Sequence, residues 1–101
     1  MRRRSHKTIW DDLILTADDA LRASLIAVLG LDADRVARFD DKTLLFGALP
    51  ELDSMAVATL LTDFEDRLAI HIDDEDVDVE SFENFGALRD MLARKLDHRA
   101  K

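Results

Sequence analysis

The hydrophobic residues of the chain first become periodic at the sequence TADD, residues 16–19. Apolar side chains then recur at the three- and four-residue spacing of an α-helix, at Ala17, Leu21, Leu25 and Val28. TADD fits a capping box, and Gly30 is a residue type that commonly follows the end of a helix. The pattern therefore predicts a first helix over about residues 17–29.

Two later segments show the same helical spacing. The first begins at Ser54, and its apolar stripe consists of Val57, Leu60, Leu61, Phe64 and Leu68. The second follows Asn84, a residue type that caps helices well, and its apolar residues are Phe85, Leu88, Leu92 and Leu96. These segments predict a second main helix over about 54–68 and a last main helix after residue 84.

The segments between these helices predict little regular structure. Residues 30–52 form a long connection with Gly47 and Pro50, in which a short helical turn fits near 33–38. The apolar residues that could anchor this loop are Val36, Phe39, Leu44, Leu45 and Phe46. A second short helical turn fits near Val79–Phe82, and no segment is a convincing strand. We therefore expect an all-α fold, a small bundle of three main helices plus one short helix.

The first residues of the chain differ from the rest. Residues 1–12 are polar and lack helical periodicity, so we expect a flexible basic tail there and a helical domain over residues 13–98. Residues 1–10 contain four Arg or Lys and no acid, whereas the whole chain has a net charge of −8. Between residues 51 and 90, thirteen acids against two arginines leave a net charge of −11. Such a surface repels nucleic acid and favours basic protein partners, although a charged face can also serve solubility alone.

Composition excludes several other functions. The chain of 101 residues contains no cysteine, so it has no disulfide, no thiolate metal site and no cysteine nucleophile. No apolar run is long enough to cross a bilayer, and the basic N-terminus lacks the apolar core of a signal peptide. These observations lead us to expect a cytoplasmic protein without membrane insertion.

Two candidate capping residues stand side by side at the start of the second predicted helix. Asp53 is the better cap, because its carboxylate accepts backbone N–H bonds and also suits the positive end of the helix dipole. Ser54 then occupies the first helical position with its hydroxyl free. Helical phase places Met55 opposite the apolar stripe, with Asp63 and Asp66 on or near the same exposed side. An exposed methionine beside acids suits contact with a partner.

The stretch LPELDSMAVATLLTDFEDRLAIHI resembles the attachment site of acyl carrier proteins, where an Asp-Ser-Leu motif opens the second helix. The motif here is Asp53-Ser54-Met55, and the later stretch DVDVESFENFGALRDML is similar to the family's short third helix and the start of its fourth. The resemblance extends over about residues 14–97. It implies an acyl-carrier-like bundle with a long loop between helices one and two.

The resemblance also implies a function. In this family the serine of the motif carries 4′-phosphopantetheine, which corresponds here to Ser54, with Asp53 as the neighbouring orienting residue. A separate phosphopantetheinyl transferase would add the group from coenzyme A, and the thiol of the group would hold acyl intermediates as thioesters. The protein would then be a monomeric carrier rather than an enzyme. Its partners would be the transferase and acyl-loading and acyl-transfer enzymes with basic surfaces, which would contact Met55, Asp63 and Asp66.

Differences from the housekeeping carriers of fatty acid synthesis favour a specialised carrier. Ala56 and Thr59 occupy positions that are acidic in those carriers, and Leu52 replaces a small residue before the motif. The alternative function is an acidic helical interaction module without a prosthetic group. A calcium-binding loop starting at Asp74 is rejected, because its sixth position is Val79 rather than glycine and its twelfth is Phe85 rather than glutamate.

Overall fold

The computed structural model of the chain describes residues 6–100, with the side chains of residues 9–73 and 75–99. The helices are α1 (His6–Leu29), α2 (Ala33–Ala37), α3 (Ser54–Leu68) and α4 (Phe85–Ala100), and two short 3₁₀ helices span Asp74–Asp76 and Val79–Phe82. No strand occurs among the described residues, which contain one isolated antiparallel bridge between Leu44 and Asn84. The all-α fold of three main helices and a short one is confirmed, and within residues 6–100 no helix has the length and hydrophobicity to cross a membrane.

The predicted start of the first helix is wrong. Helix α1 begins at His6 rather than near residue 17, so residues 6–12 of the expected tail are helical, while residues 1–5 lie outside the described residues. The Thr16 hydroxyl does not cap the helix, because it donates a hydrogen bond of 3.0 Å to the Asp12 carbonyl within it. Leu13 and Ile14, one turn before the predicted start, pack against the core and extend the apolar face of α1.

The other helix boundaries follow the sequence closely. The Asn84 side chain accepts a hydrogen bond of 2.8 Å from the Ala87 backbone N–H and so caps the first turn of α4, as predicted. Gly30 follows α1 with a φ of 71°, which glycine adopts without strain. Ala69 ends α3 in the same left-handed conformation, with a φ of 53°, although it carries a Cβ.

The core lies between the three main helices. Helix α1 packs against both α3 and α4. The largest fully buried side chains come from all three helices and from the long loop; they are Leu21, Leu25, Val36, Leu45, Leu60, Phe64, Phe85, Leu88 and Leu92. Their burial is the main source of stability, because removal of apolar surface from water is the dominant favourable contribution to folding.

The long loop between α1 and α3 is fixed to the start of α4 by backbone hydrogen bonds. The N–H groups of Leu45 and Phe46 donate to the carbonyls of Glu83 and Phe82, each at 3.0 Å. Leu45 is fully buried, as expected of an anchor, but Phe46 and Leu44 are exposed and do not act as core anchors. Three other leucines, which the apolar pattern of the loop does not distinguish, are buried and anchor it instead: Leu31, Leu49 and Leu52.

Arg22 connects α1 to the start of α4 and to the long loop, because its guanidinium also donates hydrogen bonds to the backbone carbonyls of Val36 and Phe39. Its guanidinium lies 4.6 Å from the centre of the Phe85 ring, so the middle of α1 is level with the first residue of α4. Ala17, more than a turn before Arg22, is also fully buried, so the buried face of α1 extends over at least these turns.

Candidate functional site

Asp53 caps α3, as the sequence predicts. It has extended backbone angles (φ −99°, ψ −176°), and its side chain accepts a hydrogen bond of 2.8 Å from the Ala56 N–H. This bond satisfies one of the backbone donors that have no partner within the helix, and the carboxylate lies at the positive end of the helix dipole. The cap therefore requires Asp53 and makes no use of Ser54.

Ser54 is the first residue of α3 and is exposed. Its hydroxyl makes no hydrogen bond to any of the residues that the structure describes, whereas the carboxylate of the neighbouring Asp53 is bonded to the Ala56 N–H. A serine at this position could have competed for the cap, because both residue types cap well. The Ser54 side chain is thus an accessible alcohol at the start of α3, and its hydroxyl forms no hydrogen bond that would stabilise the described part of the fold.

A largely apolar cleft lies beside Ser54. Its volume is about 300 Å³, and its lining residues come from the long loop, the first turn of α3 and the second 3₁₀ helix; they are Phe46, Ser54, Val57, Val77, Asp78, Val79 and Phe82. Only Ser54 and Asp78 contribute polar side chains. Asp78 is engaged with the 3₁₀ helix, where it accepts hydrogen bonds from both the N–H and the hydroxyl of Ser81, and these bonds lower the pKa of its carboxyl group.

Helical periodicity gives no indication of this cleft. The sequence predicts Phe46 as an anchor of the loop and Val79–Phe82 as a helical turn, which it forms, but neither prediction places these residues beside Ser54. Their approach to Ser54 depends on backbone pairing between residues 45–46 and 82–83, which are far apart in the chain. The one available signal was the concentration of apolar residues in segments predicted to be irregular.

The exposed face of α3 next to Ser54 combines one large apolar residue with polar ones. Met55 is 81% exposed, in agreement with its helical phase. Thr59, Thr62 and Asp66 are exposed on the same face, and the two threonine hydroxyls bond to backbone carbonyls of their own helix. Because these hydroxyls are engaged, Met55 and the Asp66 carboxylate are the groups on this face best able to contact another molecule.

Asp63 does not lie on that exposed face, which corrects the expectation from helical phase. It accepts a hydrogen bond of 2.5 Å from the hydroxyl of the fully buried Ser24 on α1, and it pairs with Arg67 at 2.6 Å. Its side chain is 27% exposed. The Ser24 bond, and secondarily Arg67, hold the pKa of the Asp63 carboxyl below its usual value. Asp63 therefore connects α3 to α1.

The acidic loop after α3 contains no metal centre in its described part. His71 lies 2.6 Å from an Asp73 oxygen, and Asp76 pairs with Lys95 of α4 at 2.8 Å. Among the residues that the structure describes, no group of three or more His, Asp or Glu side chains could hold a metal ion. Asp76 instead joins the loop to α4, and it also accepts a hydrogen bond of 3.0 Å from the Asp73 N–H.

Together these features define a small helical bundle in which Ser54, exposed and without a hydrogen bond to the described residues, lies between an apolar cleft and the exposed Met55. No family model and no curated protein matches the sequence. The structure is similar to the solution NMR structure of a holo acyl carrier protein from Nitrosomonas europaea, with a TM-score of 0.73. The two chains are 34% identical, and the match covers 80% of this chain and 96% of that chain. The chain therefore belongs to the acyl carrier protein family and is a carrier protein rather than an enzyme.

Proposed function

We propose that Ser54 carries 4′-phosphopantetheine and that the protein presents acyl intermediates, held as thioesters, to the enzymes of one pathway. The observation that carries the proposal is the Ser54 hydroxyl, which is exposed and makes no hydrogen bond to the described residues, while Asp53 alone caps the helix. The holo form of the Nitrosomonas europaea carrier supports the same prosthetic group here.

The residues around Ser54 fit such a group. The hydroxyl opens to solvent, so a separate transferase could reach it, and the adjacent cleft of about 300 Å³ offers apolar side chains to a flexible chain attached at Ser54. When bound, phosphopantetheine supplies the terminal thiol that holds the acyl group. The chain itself contributes the serine oxygen, the helix end that orients it and the apolar wall beside it.

Among the described side chains, none is hydrogen-bonded to the Ser54 hydroxyl. The neighbouring Asp53 carboxylate accepts the Ala56 N–H at 2.8 Å, and Asp78 across the cleft is bonded to Ser81. A general base must be within hydrogen-bond reach of the proton that it removes, so we assign the deprotonation of Ser54 to the transferase. This protein is accordingly the substrate of the modification and not its catalyst.

Partner enzymes are proposed to dock on the α3 face beside Ser54. Met55 would enter an apolar pocket, and Asp66 would meet a basic rim, since charge steers association and apolar contact supplies fit. Asp63 contributes indirectly by holding α3 against α1. We further propose that the protein is monomeric and cytoplasmic. We propose a specialised pathway because Ala56 and Thr59 replace acids found in the housekeeping carriers.

Intact-mass measurement after co-expression with a broad-specificity phosphopantetheinyl transferase tests the proposal. The wild-type chain should gain the mass of one phosphopantetheine, and Ser54→Ala should gain none. Ser81→Ala is the matched control, because Ser81 lies next to the lining of the same cleft but is bonded to Asp78, and it should be modified like the wild type. An unmodified wild-type chain would favour the alternative, a helical interaction module without a prosthetic group.

A further inference from the structure

Exposed apolar side chains lie beside Ser54 on the loop side of the cleft as well as on α3. Phe46 from the long loop is 43% exposed, and Val79 from the second 3₁₀ helix is 74% exposed, although both line the cleft together with Ser54. Met55, which follows Ser54 directly, is 81% exposed, whereas Phe82 in the same cleft is buried. Three separate segments of the chain therefore expose large apolar side chains beside one serine.

The backbone that carries Phe46 is paired with the chain around the start of α4. Four backbone hydrogen bonds of 2.8–3.0 Å join residues 41–46 to residues 82–86. Gly86 permits this close approach, because a Cβ at its position would lie 3.0 Å from both the Cβ and the carbonyl oxygen of Asp41. Since residue 82 ends the 3₁₀ helix that contains Val79, the same bonds fix Phe46 and Val79 relative to each other.

An ion pair reinforces the backbone pairing. The guanidinium of Arg89 on α4 donates to both carboxylate oxygens of Asp41, at 2.5 and 3.2 Å, and the Arg89 side chain is only 14% exposed. Two parallel N–H···O bonds fix the orientation of the loop as well as its distance from α4. A side chain that is already held in position loses little conformational freedom on contact with a partner, which favours Phe46 as a contact residue.

The segments that border the cleft carry negative charge and no positive charge. Residues 44–57 and 77–82 contain no Lys or Arg and four acids, all of them exposed: Glu51, Asp53, Asp78 and Glu80. An apolar centre framed by carboxylates is complementary to a protein surface that has an apolar centre surrounded by Lys or Arg. Nucleic acid does not suit this surface, because the carboxylates would repel its phosphates.

We propose that Phe46 and Val79, together with Met55, form the docking surface for the transferase that modifies Ser54. The proposal rests on the proposed function and extends its docking site from the exposed face of α3 across the cleft to the loop and the 3₁₀ helix. A transferase must bring its reacting groups within bonding distance of the Ser54 oxygen, so it must also cover the side chains that border the cleft. Its matching surface is apolar at the centre and basic at the rim.

Steady-state kinetics of the apo chain with a broad-specificity phosphopantetheinyl transferase and coenzyme A test this surface. Phe46→Ser/Val79→Ser should raise KM for the chain on the order of tenfold and leave kcat within about twofold, because these side chains contact the enzyme without touching the reacting atoms. Val79→Ser alone should raise KM about threefold. Because Val79 is 74% exposed, this variant keeps the test valid if replacement of Phe46 lowers Tm.

A matched control separates this surface from exposed apolar residues in general. Leu15→Ser/Ile26→Ser replaces two side chains of α1 that are 63% and 36% exposed and do not line the cleft, and it should be modified with the KM of the wild type. Thermal melts by circular dichroism verify that each variant is folded. Equal increases in KM for the two double variants would overturn the proposal.

The remaining outcomes distinguish this surface from the proposed function. A wild-type chain that is modified with the same KM as Phe46→Ser/Val79→Ser would overturn the docking surface and leave the proposed function standing. A wild-type chain that gains no phosphopantetheine would overturn both. An unchanged KM combined with faster hydrolysis of the thioester in the acylated variant would assign Phe46 and Val79 to the attached acyl group instead, and would overturn the docking surface.

Discussion

The division of roles between Asp53 and Ser54 predicts different stabilities for their alanine variants. Asp53→Ala removes the 2.8 Å hydrogen bond to the Ala56 N–H, and loss of such a cap costs about 1 kcal/mol, within a range of roughly 0.5–2. Ser54→Ala removes no hydrogen bond to a described residue, and alanine is the better helix former. Its effect on the free energy of unfolding should be close to zero.

The expected changes in unfolding free energy correspond to a measurable difference in Tm, whose size depends on the length of the chain. For a domain of about 100 residues, 1 kcal/mol corresponds to a change in Tm of roughly 4–8 °C. We therefore expect Asp53→Ala to lower Tm by about that amount and Ser54→Ala to leave it within about a degree. Thermal melts by circular dichroism, with the apo form of each variant, measure both changes.

Asp53→Asn separates the hydrogen bond from the charge. Asparagine caps as well as aspartate but lacks the attraction of a carboxylate to the helix dipole, which contributes about 0.3–1 kcal/mol. Asp53→Asn should therefore lie between the wild type and Asp53→Ala in Tm. If Ser54→Ala proves as destabilising as Asp53→Ala, Ser54 contributes to the cap, and the reasoning that leaves its hydroxyl free for modification is refuted.

Four further predictions concern other parts of the structure. Met55→Ala should change the free energy of unfolding by less than about 0.5 kcal/mol and slow modification by the transferase; a loss of roughly 2–5 kcal/mol in a denaturant melt would mean that Met55 is a core residue. Ser24→Ala should cost about 1 kcal/mol at neutral pH through the lost bond to Asp63, as measured by denaturant melts. Because the pKa of Asp63 is lowered in the folded state, this contribution exists above the ordinary pKa of aspartate and disappears as pH falls through the folded-state pKa, so the two melting curves should converge in acid. Ala69→Gly should raise Tm, because glycine adopts the left-handed cap of α3 without a Cβ penalty, and an unchanged or lower Tm would argue against strain there. Added salt or millimolar Mg²⁺ should also raise Tm by reducing repulsion within the net charge of −11 over residues 51–90, and a Tm independent of salt would contradict this.

The features that the sequence predicts correctly depend on interactions between neighbours in the chain. Helix α3 begins at Ser54 and ends at Leu68 as its apolar stripe indicates, and both Asp53 and Asn84 cap the helices that they precede. Met55 is exposed, as its helical phase predicts. Capping bonds and helical phase involve residues within about four positions of one another, so the local sequence carries the information that determines them.

The incorrect predictions concern features that depend on distant parts of the chain. Helix α1 starts at His6, and no local motif marks that start; Leu13 and Ile14 in its first half pack against a core that distant segments complete. Asp63 turns towards α1 because the buried Ser24, 39 residues away in sequence, supplies a hydrogen-bond donor. Helical phase can assign Asp63 to the border of a face, but it cannot identify a partner on another helix.

The proposed site at Ser54 also combines features set by neighbouring residues with features set by distant parts of the chain. Residues 49–72 of the sequence show the position of the serine and its neighbouring cap, and together with residues 76–92 they carry the family resemblance. The apolar wall that faces the serine exists because residues 45–46 pair with residues 82–83 and bring Phe46, Val79 and Phe82 next to the start of α3. Local sequence therefore determined that Ser54 begins α3 directly after its cap, whereas tertiary packing alone decided what surrounds this serine, because the apolar wall is assembled from segments more than thirty residues apart.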